Sequence, residues 1–142
     1  MLRIENLHVE YAGIPALRGI DIDIRPGEIV ALIGANGAGK STTLKAISGL
    51  VRPSAGKIEF DGKPVAGLAP EALVELGIIH VPEGRRVFPR LTVEENLTVG
   101  SYPARARASE RQAREQVYSL FPRLAERRRQ PGGALSGGEQ QM

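Results

Sequence analysis

Glu28-Ile29-Val30-Ala31-Leu32-Ile33-Gly34-Ala35-Asn36-Gly37-Ala38-Gly39-Lys40-Ser41 decides how the rest of the chain is read. Glu28 to Ile33 is a short apolar run, as expected of a strand buried on both faces. Gly34 to Ser41 fits G-x-x-x-x-G-K-[ST] in full. Lys40 to Leu50 is expected to be a helix with Leu44 and Ile47 facing inward. Strand, glycine-rich loop and helix in that order are the context this motif requires. Glycines let the backbone bend around phosphate oxygens and aim successive N–H groups at them. The positive end of the adjoining helix adds to the attraction. Lys40 can reach β and γ phosphates, and the Ser41 hydroxyl can ligate Mg²⁺. The candidate nucleotide-binding residues are Gly34, Asn36, Gly37, Ala38, Gly39, Lys40, Ser41 and Thr42. The competing reading, a glycine-rich turn that binds nothing, does not account for both flanks. Kinases, GTPases, helicases and transport ATPases all remain open at this point.

Towards the N-terminus, Leu2 to Tyr11 has apolar residues at 2, 4, 7 and 9, a strand with one irregularity. Ile20, Ile22 and Ile24 alternate with Asp21 and Asp23, a half-buried strand by its period of two. Pro26-Gly27 is a turn signal. Towards the C-terminus, Lys57 to Phe60 reads as a strand entering a hairpin at Asp61-Gly62. Pro70 opens a short helix through Leu76 that Gly77 ends. Ile78 to Val81 is another short buried strand. Thr92 to Glu95 has capping-box spacing, so a helix should start after Thr92, and Ser109 to Gln112 repeats the signature. Val117, Leu120, Phe121 and Leu124 lie on one face at helical spacing. Pro131-Gly132-Gly133 breaks that segment.

Composition excludes several classes. The chain has 142 residues, 42% hydrophobic and 25% charged, the balance of one globular domain. It has no cysteine, which removes disulfides and thiolate sites. Aromatics are only 4%, too few for a stacking platform on single-stranded nucleic acid. The longest clean apolar run, Ile29 to Ile33, is far too short to span a bilayer. Arg3 and Glu5 stand where a secretory signal would need apolar residues. A cytosolic chain is the expectation. Residues 1–84 carry 8 Lys+Arg against 10 Asp+Glu, and residues 85–142 carry 11 against 6. The basic half reads as a solvated arginine-rich helical surface rather than a nucleic-acid face, because its charges are dispersed. His8 and His80 are too isolated to form a metal pair. Asp61 lies in a hairpin signal and is rejected as a metal-binding carboxylate at the end of a buried strand.

Leu135-Ser136-Gly137-Gly138-Glu139 is a second candidate anion site. Ser136 is a natural N-cap, Glu139 sits where it can reciprocate, and two glycines leave the first N–H groups open. An ordinary capped helix start is the alternative.

Together these motifs resemble the ATP-binding-cassette family over the whole chain. The resemblance implies an α/β P-loop NTPase core with an N-terminal antiparallel β part and the start of a helical subdomain. It divides the chain into a P-loop core at about 1–88, a helical subdomain at about 89–135 and a signature-helix start at 136–142. Tyr11 matches the aromatic that stacks on adenine. Leu135, Ser136, Gly137, Gly138 and Glu139 match the signature that closes over ATP held by the P-loop of another subunit. Glu83 stands where most members have a glutamine that touches Mg²⁺ and the attacking water; a carboxylate can still ligate the metal. ATP and Mg²⁺ are the implied cofactors. The implied partners are membrane permease subunits, a second ATPase subunit (the same or a different chain) and, indirectly, a periplasmic or extracellular substrate-binding protein, with no nucleic acid. The implied location is cytoplasmic, peripheral on the inner face of the cell membrane.

Val81 to Leu97 resembles the shorter of the two paired ATPases of branched-chain amino-acid importers, and Tyr11 to Leu17 and Gly138 to Met142 agree. A urea or short-amide importer is the nearest rival. A family member serving DNA repair or translation would carry long insertions or a second cassette. The family continues past the signature with an apolar strand ending in Asp-Glu and later a switch histidine. The expectation is therefore a C-terminally truncated domain with an incomplete sheet, roughly the first three-fifths by motif order. The base that polarises water would be absent, so the fragment could be non-catalytic while its complete parent is an ATP hydrolase.

Overall fold

The computed structural model describes residues 1–142. They form two compact units, Met1–His80 and Val81–Met142.

The first unit is built on an antiparallel sheet of order β2-β1-β3-β4. Its strands are β1 (Leu2–Tyr11), β2 (Ile14–Ile24), β3 (Ala55–Phe60) and β4 (Lys63–Pro64). The step from Ile4 to Leu7 breaks the period of two, and the structure puts a bulge there. Asn6 adopts φ +47°, and both ladders of β1 shift register beside it. One extra residue returns Leu7 and Val9 to the face of Ile4, and all three are buried. Further register shifts on the β2 side occur at Leu7/His8 and Val9/Glu10, beyond the single irregularity expected. Asp61 sits at φ +49° in the β3–β4 turn, so the hairpin reading holds. Helix α1 (Lys40–Ile47) and helix α2 (Pro70–Leu76) complete the unit, and Gly77 ends α2 in the left-handed conformation. Ile4, Leu7, Val9, Leu17, Ala46, Ile58, Val65 and Leu73 make the core.

Three expectations fail here, two of them for one reason. Glu28–Ile33 and Ile78–Val81 are not strands. Ile29 is 97% exposed, Ile33 94% and Val81 87%. A strand buried on both faces needs hydrogen-bonded neighbours, and neither segment pairs with any strand of the chain. The incomplete sheet is thus realised as two unpaired apolar segments. The third failure is Leu44, which is exposed; α1 buries Thr43 and Ala46 against the core, with Ile47 partly covered.

The second unit is helical: α3 (Val93–Gly100), α4 (Ala104–Arg107), α5 (Glu110–Leu120) and α6 (Pro122–Glu126). Thr92 forms the expected box. Its hydroxyl accepts from Glu95 N–H at 3.2 Å, and its own N–H donates to Glu95 Oε2 at 2.7 Å. The second expected box does not form. Ser109 makes no capping bond, and its hydroxyl donates instead to Ala106 O at 3.4 Å, near the end of the preceding helix. The apolar face at Val117–Leu124 is interrupted at Phe121, where the helix breaks; Leu124 is buried and Leu120 is exposed. Val93 N–H and Glu94 N–H donate to Gln130 O and Arg128 O, so residues 128–131 close the start of α3.

No helix is long and apolar enough to cross a membrane.

Candidate nucleotide site

The phosphate loop lies in the first unit. Gly34 opens it, and a Cβ there would come within 3.1 Å of Ala38 Cβ, so the two ends of the bend approach closely. Ala38 N–H donates to Ala35 O at 3.2 Å, closing the turn. Asn36 and Gly37 form its exposed tip, with Gly37 at φ +85°. Gly39 caps α1 at φ +91° without any side-chain bond to the helix start. A Cβ at Gly39 would lie 2.5 Å from Leu17 Cδ2 and 3.1 Å from Ala16 O. Both the dihedral and the wall behind it demand glycine.

The first helical N–H to bond back is that of Thr43, to Gly39 O at 2.8 Å. The amides of Lys40, Ser41 and Thr42 precede it and are the donors a helix start leaves for an anion. No acidic residue stands in that first turn to compete for them. Thr43 is buried, and its hydroxyl donates to Gly39 O at 3.0 Å. Lys40 folds back across the loop, where its Nζ donates to Gly34 O at 2.7 Å and Ala35 O at 2.8 Å. An ammonium has three donors, so one stays open for a phosphate oxygen. Ser41 is exposed on the same turn. These groups fit a polyphosphate: open amides, a cation held over the loop and a hydroxyl able to ligate a metal ion.

Tyr11 ends β1 at a two-residue turn, Ala12 at φ +49° and Gly13 at φ +81°, and pairs with Ile14. It is 43% exposed, so its ring is available. The same β2 strand carries Ala16 and Leu17, which back Gly39, and this places the hairpin tip near the phosphate loop. The Leu17 wall was not singled out from sequence; strand alternation was its only signal.

Glu83 and the signature residues lie in the second unit. Glu83 is exposed in the loop before Val87, and its carbonyl accepts from Arg86 Nε at 3.5 Å. Ser136 and Glu139 form a reciprocal box. Ser136 N–H donates to Glu139 Oε2 at 2.9 Å, and Glu139 N–H donates to Ser136 Oγ at 3.3 Å. The Ser136 N–H and then its hydroxyl hold the Glu139 carboxyl below its ordinary range, helped by Arg127 and Arg123. The box opens a single 3₁₀ turn, Glu139–Gln141. Leu135 is half-buried, and its carbonyl accepts from Gln140 Nε2 at 3.1 Å. Gly137 lies against Arg85, while nothing stands within 4 Å of where a Cβ on Gly138 would be. Asn96 also escaped the sequence reading: its side chain bonds Phe88 N–H, Phe88 O, Leu91 O and Thr92 O, tying the loop after Glu83 to α3. His8 and His80 bond Asn6 and Ser48, and no group of three His, Cys, Asp or Glu could hold a metal.

The family model described as "ABC transporter" matches residues 17–142. A high-affinity branched-chain amino acid transport ATP-binding protein of Pseudomonas aeruginosa, BraG, is 45% identical over 142 residues, all of this chain and 60% of that protein. A probable branched-chain amino acid transport ATP-binding protein of Archaeoglobus fulgidus, LivF, is 37% identical over the same 142 residues, again 60% of its length. A solved structure described as the ATP binding subunit of an ABC transporter superposes with a TM-score of 0.81 at 33% identity, over 99% of this chain and 58% of that one. The chain thus spans about 60% of the length of the curated relatives it matches. With a complete phosphate loop at the start of α1 and this match over most of its length, the chain belongs to the ABC transporter family.

Proposed function

We propose that the chain supplies the nucleotide-binding part of an ATP-driven importer subunit, one that serves branched-chain amino acids. The observation that carries nucleotide binding is Lys40, held over the loop by Gly34 O and Ala35 O in front of the open amides of α1. Likeness to the Pseudomonas aeruginosa and Archaeoglobus fulgidus proteins over all 142 residues supports the substrate class. In this reading Tyr11 stacks on adenine. Gly34 to Thr42 hold the phosphates of ATP, and Ser41 is a ligand of Mg²⁺. Glu83 is an auxiliary metal contact. Leu135 to Glu139 meet the nucleotide of a second ATPase subunit, and permease subunits anchor the assembly at the inner face of the membrane. ATP bound there supplies a phosphoryl group for transfer to water. The contribution of Lys40 and the α1 amides is to hold that group and offset its charge.

One observation favours a second reading for residues 1–142 alone, in which nucleotide binds but does not turn over. The unpaired segments at 28–33 and 78–81 leave the sheet unfinished. Lys40→Ala tests both readings. Nucleotide titration should show most of the affinity lost, since the main cation aimed at the phosphates is gone. A phosphate-release assay on residues 1–142 should show no turnover above that variant. Unchanged affinity would sink the phosphate-loop assignment, and clear Lys40-dependent turnover would place a catalytic base within these residues.

A further inference from the structure

Two features of the second unit meet at one contact. Gly84 and Arg85 are successive left-handed residues, at φ +91° and +50°. The second of these is unfavourable for a residue with a Cβ and is sustained only where something holds it. Val87 N–H donates to Arg85 O at 2.8 Å, fixing a tight turn directly after Glu83. That turn throws the Arg85 side chain across to Leu135–Glu139. A Cβ on Gly137 would meet Arg85 Nη1 at 2.6 Å, Cζ at 2.8 Å and Nη2 at 3.0 Å. Three atoms of one plane at nearly equal distance mean that the guanidinium lies flat over Gly137. Arg85 enters no ion pair, so charge pairing is not what puts it there.

We propose that Arg85, though exposed, is a positioning residue for the signature segment: its guanidinium packs over Gly137, ties Leu135–Glu139 to the loop that carries Glu83, and fills the space that a side chain at 137 would take. The capping box fixes the two ends of that segment, Ser136 and Glu139. The Arg85 plane fixes the middle, where no side chain of the segment's own could do so. Guanidinium suits this task because it is flat and weakly hydrated, whereas an ammonium is neither. The purpose of the clamp rests on the proposed reading of Leu135–Glu139 as the face that meets a second subunit's nucleotide. The clamp itself does not.

The test uses residues 1–142 and reads the clamp directly by NMR. Cross-relaxation is expected between Arg85 side-chain protons and the Gly137 α protons. Arg85→Ala should raise amide exchange at Ser136 and Glu139, whose N–H groups are hydrogen-bonded within the segment, roughly fivefold, the scale of one lost packing contact in a local opening. The Glu95 amide, in the Thr92 box of the same unit, should stay unchanged and so reports that the unit remains folded. Arg85→Lys keeps the charge without the plane and should behave as Arg85→Ala. Gly137→Ala should expel the guanidinium and abolish the cross-relaxation, and adding Arg85→Ala to it should change exchange no further. No cross-relaxation, unchanged exchange in Arg85→Ala, or full protection in Arg85→Lys overturns the clamp. ATP-dependent association, measured separately by sedimentation velocity with Arg85 intact, addresses the other layer: a clamp that is present without any such association leaves the positioning role standing and removes the assigned purpose of the segment.

Discussion

Gly39→Ala is the sharpest probe of how the phosphate loop is held. A methyl at residue 39 faces two costs. The backbone sits at φ +91°, and an L-residue forced into the left-handed region loses about 1 kcal/mol. The new Cβ would also lie 2.5 Å from Leu17 Cδ2, inside contact distance of a side chain that is only 4% exposed and packed in the core. Overpacking of that kind costs about 1–3 kcal/mol, so the total loss is about 2–4 kcal/mol. Against a domain stability of about 5–15 kcal/mol, that is a large share. Urea unfolding monitored by far-UV circular dichroism reads the loss as a lowered midpoint with the slope unchanged. The Leu17→Ala background separates the two costs. With Leu17 truncated the methyl keeps only the 3.1 Å approach to Ala16 O, so Gly39→Ala should then add little beyond the backbone cost of about 1 kcal/mol. Two results refute the reasoning: a loss below about 0.5 kcal/mol in the parent, or the same loss in both backgrounds. Nucleotide affinity should fall with stability in the parent, because Gly39 aligns the first turn of α1 behind Lys40.

Ser136→Arg should leave nucleotide titration of the phosphate loop unchanged and abolish ATP-dependent association on a sizing column; a variant that still associates removes the trans contact. Asn96→Ala deprives Phe88 N–H and three carbonyls of their partner and should cost about 2 kcal/mol in urea unfolding, with exchange rising across residues 88–92. The Glu139 and Glu95 carboxyls are held below their ordinary value of 4.5, by the backbone N–H groups of Ser136 and Thr92 first. Because the folded value is the lower one, their stabilisation is complete above the ordinary value and is lost as pH falls through the depressed one. Exchange at Ser136 and Thr92, corrected for its intrinsic pH dependence, should therefore be flat from neutral pH to about 5 and rise only in more acid solution. A rise that begins near neutrality contradicts those bonds.

Local chemistry made much of this protein legible from its sequence. The phosphate loop, the Thr92 box, the Asp61-Gly62 hairpin and the left-handed end of α2 at Gly77 each arise from residues within a few positions of one another. The forces involved, backbone dihedral preference and side-chain capping, act over that range. The reciprocal bonds of Ser136 and Glu139 belong to the same class. Where the outcome depended on a distant partner, sequence pattern was not enough. Ile29 to Ile33 and Ile78 to Val81 have the composition of buried strands, yet stay unpaired because a strand exists only when another supplies its hydrogen bonds. Ser109 has the spacing of a cap, but its hydroxyl is taken by Ala106. Only the tertiary structure put Leu17 behind Gly39, Asn96 across the loop after Glu83 and Arg85 over Gly137, contacts that lie beyond the reach of any capping or turn rule. Long-range packing selects among locally allowed conformations, and which one wins is set by the shape of the surface that arrives.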